Sequence, residues 1–568
     1  MQTTELMGLP YLEVGDLVED IADQSKQFVT GVESVMLSND FRGLPGDQGE
    51  PGPPGLPGVN AVPADEAVAA FVAATDTGTH AALKATFGDD ATATLVGDST
   101  SATGAAVRAL TAQAAVTDDA VAQQLNSQES ESRASVMASA RAVSGMYNVV
   151  DFGAVGDGVT DDSPAIQAAL YAARGKGKVL IPPGNYGMLT LLRVPRDTHI
   201  LMHGATLHRR PGCFNMMVNW LSGDSFGGYD GHGGITIEGG VLDAHGGEAG
   251  QQGNNMVTFS HAANIRVIGV TFRRCQRFHA LEFNGVNGGL AQDCIFEGWF
   301  DQDATGGTKE AIQIDFAGTT PDLPLGDGTM SKDIIVDGCT MRPYGAMAPH
   351  GIFVGGHSGA VGKFYDGIRV TNNLVVNALK SAITPYQWRG AVIEGNQIQN
   401  PGGSGVSMSG SSLCTVANNT ISTPTGSGIY LATSDNITVA SNVINDGAGE
   451  GITLSTSSIW CTVATNKIRG CQSYGLVFTN GASHSAAVGN HIVGAGANTT
   501  AVGVFRISAT THGVAITGNV CRKRDTGTEA AAGVSVQAGC NYTWVSGNDF
   551  LGLPVAVTGT ATNTNNRI

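Results

Sequence analysis

The sequence predicts an all-β fold, a right-handed parallel β-helix, over residues 146–550. Three observations carry that reading. Asparagine recurs at Asn373, Asn396, Asn419, Asn442, Asn466, Asn490, Asn519 and Asn548, at intervals of 23, 23, 23, 24, 24, 29 and 29 residues. Three positions before nearly all of these stands a β-branched residue: Val370, Ile393, Val416, Val439, Val463, Ile516 and Val545. Half a repeat away a second strand opens on glycine, as in Gly405-Val406, Gly428-Ile429, Gly451-Ile452 and Gly475-Leu476. One strand pair every two dozen residues cannot bury its own apolar face. Stacking on the coils above and below buries it, each strand pairing in parallel with its copies. The recurring asparagine sits at a fixed turn, where it tolerates left-handed geometry and can bond to its stacked neighbours.

Upstream of the repeat, Asn148-Val-Val-Asp-Phe-Gly-Ala-Val-Gly-Asp-Gly-Val-Thr-Asp-Asp-Ser-Pro-Ala-Ile-Gln-Ala-Ala-Leu170 reads as a strand, a Gly-rich turn and a helix. Asp162 or Ser163 would be the N-cap, with Pro164 the first helical residue. Ala165, Ile166, Ala169 and Leu170 supply an apolar face that would plug the open end of the β-helix. Asp157, Asp161 and Asp162 are explained by that turn and cap better than by a metal.

Before the β-helix the composition changes three times. Residues 1–42 are a short mixed segment with apolar spacing at Leu17, Ile21 and Phe28. In residues 43–60 glycine falls at every third position from Gly43 to Gly58, with Pro45, Pro51, Pro53, Pro54 and Pro57 between. Only glycine fits the axis of three polyproline-II strands, so this is a collagen-like run whose consequence is a parallel homotrimer. Residues 61–145 are Ala-rich, with Val107, Leu110, Ala114 and Val121 near heptad spacing, and read as helices or a loose coiled coil. After Asn548 the repeat stops, and 551–568 reads as a Thr/Asn-rich tail.

Charge and composition exclude several function classes. The net charge of −18 argues against nucleic acid or an anionic membrane as partner. No apolar run is long enough to span a bilayer. The first twenty residues carry Glu5, Glu13, Asp16 and Glu19 without an apolar h-region, so no signal peptide is expected. Nine cysteines, without a CxxC pair, read as buried free thiols.

The 148–170 segment, followed by Val179-Leu-Ile-Pro-Pro-Gly-Asn-Tyr186, resembles the entry motif of the pectate-lyase-like β-helix superfamily, which includes polysaccharide lyases, glycoside hydrolases and phage tailspikes. The order of parts resembles a minor tail protein or tail fibre of phages of actinobacterial hosts, and Met7-Gly-Leu-Pro-Tyr-Leu-Glu-Val-Gly-Asp-Leu17 is similar to the opening of such proteins. The resemblance implies a virion location, trimeric assembly, other tail proteins as partners of the N-terminal region, and a host cell-wall polysaccharide as ligand.

The candidate site follows from aligning the first strand of each coil. Coils opening at Asn255, His279, Glu310, His350, Ser381 and Ser404 differ by 24, 31, 40, 31 and 23 residues. With a period of two, Leu281/Phe283, Ile312/Ile314 and Ile352/Val354 point inward. One outward column then stacks Thr258, Glu282, Gln313, Phe353 and Thr384, and its neighbour stacks Ser260, Asn284, Asp315, Gly355 and Tyr386. The long intervals raise loops around these columns, where sites are built. Trp299, Phe300, Tyr344 and Trp388 in or near the loops could stack on sugar rings.

Glycoside hydrolysis needs an acid and a second carboxylate flanking the bond. Glu282 and Asp315 lie one strand and two residues apart, so about 8 Å from spacings of about 4.8 and about 6.6 Å. That falls in the roughly 6.5–9.5 Å range of an inverting pair. Glu310 stands at the mouth of the same strand, and His279, His350 and His357 in neighbouring coils could act as base or orient a carboxylate. The segments FHALEFNGV, KEAIQIDFA and GIFVGGHSG resemble a recurrent trio in bacterial and phage pectate-lyase-like proteins, which favours Glu282, Glu310, Asp315 and His357 as catalytic residues. His279, Asn284, Gln313, His350, Trp299, Tyr386 and Trp388 are the expected substrate contacts. Lys309 and Arg277 could serve lyase chemistry, but no tight acidic cluster marks a calcium site, and no cofactor or metal is expected. Asp230-Gly-His232 and Asp243-Ala-His245 fall on turns before the site. The leading expectation is a tail fibre or spike that binds and cleaves a host glycan; the alternative is a non-catalytic structural or receptor-binding tail protein.

Overall fold

The computed structural model describes residues 145–564 apart from 176, 252, 319–325, 357, 360, 497–502, 524–529, 531, 554 and 560–561. The expected N-terminal attachment, collagen-like and Ala-rich regions, and His357, lie outside the described residues. The remainder is the expected right-handed parallel β-helix: three long sheets of 18, 14 and 14 strands among the described residues. A typical coil contributes one strand to each sheet and pairs in parallel with the next; two coils add a second strand to the first sheet, Tyr365–Asp366 before Arg369–Thr371 and Trp388–Arg389 before Val392–Glu394. Val406–Ser409, Thr415–Ala417 and Thr420–Ser422 make one coil, and they pair in parallel with Ile429–Ala432, Thr438–Ala440 and Val443–Asn445.

The β-branched column closes the core. Val370, Ile393, Val416, Val439, Val463, Ile516 and Val545 are all fully buried, facing a second column of Ile398, Ile421, Ile444 and Ile468. Each such side chain contributes about 1.5–3 kcal/mol by leaving water. The glycines opening the strands Val406–Ser409 and Ile429–Ala432 of the third sheet are dictated by that core. A Cβ on Gly405 would come within 2.7 Å of Ile421 Cγ2, and one on Gly428 within 2.6 Å of Ile444 Cγ2. All nine cysteines are buried free thiols.

The recurring asparagines form a continuous buried ladder. Asn419 Nδ2 donates to Asn442 Oδ1 at 2.9 Å and to the Ile393 carbonyl at 2.9 Å, while the Asn419 backbone N–H also reaches Asn442 Oδ1 at 3.0 Å. The same pattern runs from Asn373 to Asn548. The left-handed residue is not the ladder asparagine but the one before it: Asn372, Gly395, Asn418, Ser441 and Thr465 have φ of 57, 68, 55, 56 and 55°. The preceding residue makes the bend, so that the asparagine can aim its amide along the helix axis.

The helix Ser163–Ala173 caps the first coil, burying Ile166, Ala169 and Leu170 as expected. Asp162 occupies the N-cap position, yet its carboxylate makes no cap bond. It instead accepts from the amides of Val155 at 2.7 Å and Gly187 at 3.1 Å, pinning the entry turn to the next coil. Asp157 likewise folds onto the amides of Val159 and Thr160, which also lowers its pKa. At the other end the β-helix runs beyond residue 550. Val555–Thr558 pairs with Ala532–Val536, and Thr562–Thr564 with Trp544–Ser546, so the expected tail supplies further strands.

Candidate functional site

Five strands of the third sheet carry the site: Val257–Ser260, Leu281–Asn284, Glu310–Asp315, Ile352–Gly355 and Ile383–Thr384. Their register places Thr258 beside Glu282 and Glu282 beside Gln313, with Ser260, Asn284 and Asp315 in the adjacent column. The next coil departs from the expected alignment. Val354, rather than Ile352, pairs with Ile312, and Gly355 pairs with Gln313 and Thr384. Phe353 therefore leaves the outward column; it is fully buried, edge-on to Phe296 at 6.0 Å. A slip of two residues sets Val354 in the inward place expected for Ile352, a change that a period of two cannot register.

Over these columns lies a cavity of about 260 Å³. Its floor is Thr258, Glu282, Asn284, Gln313 and Asp315, with His279 at one side. Its walls come from preceding and inserted segments: Asn215 and Trp220, Asn254 and Asn255, Phe278, Lys309, Phe316 and Ser358. The two carboxylates hold different surroundings. Glu282, partly exposed, accepts from Thr258 Oγ1 at 3.0 Å and from Asn255 Nδ2, both through Oε2. Asp315 is 7% exposed and accepts from three donors: Gln313 Nε2 at 2.9 Å, the Phe316 amide at 2.8 Å and the Tyr365 hydroxyl at 2.8 Å. Burial, and then the Asp315 charge, push the Tyr365 phenol far above its usual pKa, so it remains a proton donor. Lys309 Nζ stands 5.1 Å over the Phe278 ring at the rim.

Several expected site residues are elsewhere. Glu310, expected to be catalytic, does not line the cavity; it is 1% exposed, with Oε2 3.5 Å from His279 Nδ1 behind the wall. His279 Nδ1 also lies 2.9 Å from the Glu310 carbonyl, which fixes the ring. His350 is buried against Trp299, ring centroids 5.5 Å apart. Burial, together with His279, lowers its pKa to about 3, so it is neutral at ordinary pH and offers a glycan no surface. Trp299 and Trp388 are corrected as sugar platforms: both are buried, Trp299 on the core side of the second sheet and Trp388 within the first. Apolar rings at inward positions pack the interior whether or not a loop follows them. Tyr386, half-buried, pairs with Ser409 and stands outside the cavity lining. His232 is likewise structural, held between Asp224 at 3.0 Å and the Arg196 amide at 3.0 Å.

Trp220, Asn215, Phe316 and Tyr365 were not anticipated as site residues. Asn215 and Trp220 flank the strand Met217–Val218, which pairs with Val257–Thr258. Two residues are too few to display a period of two, so that coil is silent in the sequence. Tyr365 reaches the site from the first sheet, 50 residues along the chain from Asp315.

Comparisons with known proteins agree with this architecture. A model described as right-handed beta helix region matches residues 350–550. One for rhamnogalacturonase A/epimerase, pectate lyase-like, matches residues 146–207. Plasmin and fibronectin-binding protein A of Streptococcus pneumoniae (strain ATCC BAA-255 / R6) is 26% identical over 201 residues, 30% of this chain and 27% of that protein. Mannuronan C5-epimerase AlgE6 of Azotobacter vinelandii is 64% identical over 42 residues, 7% of this chain and 5% of its own. The chain thus spans about a quarter or less of the length of these curated relatives. Among solved structures, the Streptococcus pneumoniae surface adhesin PfbA superposes with a TM-score of 0.53 at 19% identity, covering 68% of this chain and 94% of the adhesin. A double mutant of the tailspike protein of E. coli bacteriophage HK620 superposes with a TM-score of 0.54 at 13% identity, covering 72% and 78%. At these identities the likeness is one of fold.

Proposed function

We propose that this chain is a trimeric tail spike or fibre of a virion that binds a host cell-surface glycan and hydrolyses it in the cavity over Glu282 and Asp315. One observation carries the reading: a single cavity brings both carboxylates together with amide side chains and aromatic rings. Such a mixture suits a sugar, whose hydroxyls bond amides and whose C–H faces stack on rings. Asp315, an acceptor for three donors, suits the base that activates water; Glu282 suits the acid that protonates the leaving oxygen. Their backbone separation of about 8 Å leaves room for that water and favours inversion. His279, held by Glu310, and Gln313 and Asn284 would orient the sugar. The fold shared with a phage tailspike supports the virion setting, and the collagen-like triplets at 43–60 support a trimer whose N-terminal region docks to other tail proteins.

The test is release of oligosaccharide from host cell-wall polysaccharide by the purified full chain, beside Glu282→Gln and Asp315→Asn. Release by the wild type alone, with host adsorption retained by all three, is the expected result. Adsorption without release by any of them would leave the non-catalytic receptor-binding reading, which the fold shared with a surface adhesin favours. Absence of both would overturn the glycan assignment.

A further inference from the structure

On the outer side of the second sheet, His208 and Asp243 sit opposite each other on paired strands, and His245 follows two residues later. Their ligand atoms all lie within 4.8 Å of one another, and Asp243 is 2% exposed. The two imidazoles meet edge to edge, His208 Nδ1 to His245 Nε2 at 2.9 Å. Their outer nitrogens are already engaged by acceptors. His245 Nδ1 lies 2.8 Å from Glu248 Oε2, and His208 Nε2 lies 3.3 Å from Asn185 Oδ1. Arg274 Nη2 approaches both nitrogens of His245, Nδ1 at 3.2 Å and Nε2 at 3.3 Å. The facing imidazole nitrogens and the Asp243 carboxylate thus converge on one point, and the positive charge of Arg274 Nη2 already stands beside it, 2.6 Å from Asp243 Oδ2.

We propose that His208, His245 and Asp243 bind a borderline divalent cation of the Zn²⁺ type. Imidazole nitrogen with carboxylate oxygen is the donor set such ions prefer, and three protein ligands leave the fourth position to water. Bonds of about 2.05 Å at the tetrahedral angle put two nitrogens about 3.3 Å apart, so the rings need part by only about 0.4 Å. Arg274 grips Asp243 through Nε at 2.8 Å and Nη2 at 2.6 Å, and also pairs with Glu248. Asp243 Oδ1 also accepts the His245 amide at 3.1 Å, so Oδ2 keeps the lone pair for the ion, and Arg274 becomes an outer partner that orients the carboxylate. Two carboxylates against one guanidinium leave the cluster net negative, which favours a dication. His245 holds a left-handed φ of 51°, and the segment beyond it leads to Asn254 and Asn255 at the cavity wall. A bound ion would clip that segment to the sheet.

The experiment is calorimetric titration of the chelator-treated full chain with Zn²⁺, with Co²⁺ absorption as a report on ligand geometry. The expected result is one Zn²⁺ per chain, a tetrahedral cobalt spectrum and a raised Tm. Saturable binding should be lost in His208→Gln and in His245→Gln, and weakened about 10–100-fold in Glu248→Gln, which removes only an outer partner. No stoichiometric uptake by the wild type, or uptake unchanged in both histidine variants, would overturn the proposal.

Discussion

Replacing Asn442 by alanine tests what the asparagine ladder contributes. The side chain is fully buried and makes four hydrogen bonds. Its Oδ1 accepts the Asn419 amide at 3.0 Å and Asn419 Nδ2 at 2.9 Å, and its Nδ2 donates to the Val416 carbonyl and to Asn466 Oδ1, both at 2.9 Å. At about 1 kcal/mol net for each bond, with the Asn419 amide and the Val416 carbonyl stripped of these partners away from water, the loss is about 4 kcal/mol. An unfolding entropy of about 2.1 cal/mol/K per residue over roughly 400 residues converts this into a Tm lowered by about 5 °C. The matched control is Asn418→Gly next door. It removes an exposed bond to Glu394 at 2.8 Å and keeps a residue at ease with positive φ, so it should change stability by about 0.5 kcal/mol or less. Circular dichroism melts of the full chain compare the two. Equal shifts would refute the argument, because the ladder would then do no more than stand in for water.

Three further outcomes follow from the site. Trp299→Ala should destabilise by about 3–5 kcal/mol as a buried ring is lost, whereas Trp220→Ala should leave Tm unchanged and weaken glycan adsorption, read in paired melting and binding assays. Tyr365→Phe removes one donor from Asp315 and should slow oligosaccharide release about tenfold with little change in KM; an unchanged rate would separate Tyr365 from the chemistry. His350 has a folded pKa of about 3, below the ordinary value of 6.5, so the unfolded chain binds more protons between these limits. Its contribution is complete above about pH 6.5 and is lost as pH falls toward 3, and His350→Phe should flatten the fall of Tm across that window.

Much of the fold was legible because a solenoid repeats its physics. Val416, Val439 and Val463 occupy equivalent places, so one inward position read correctly is confirmed by its copies. The floor of the cavity was legible for the same reason: alternation alone sets Glu282 and Gln313 in one column and Asn284 and Asp315 in the next. The walls were not. Trp299 and Trp388 look like sugar platforms when read as loop aromatics, yet both are interior. Nothing in a local pattern distinguishes a ring facing the core from one facing a ligand when irregular segments adjoin it.

The sequence by itself determined the repeat, the inward and outward faces of the coils, the asparagine ladder and the two carboxylate positions. These rest on periodicities of two and about two dozen, which the chain carries in one dimension. Only the tertiary structure decided the two-residue slip at Val354, the burial of Glu310 and His350, and the arrival of Trp220 and Tyr365 around Asp315. Each depends on where inserted segments return to the stack. That return is set by packing between residues far apart in the chain, where the period is broken and no local pattern remains to specify it.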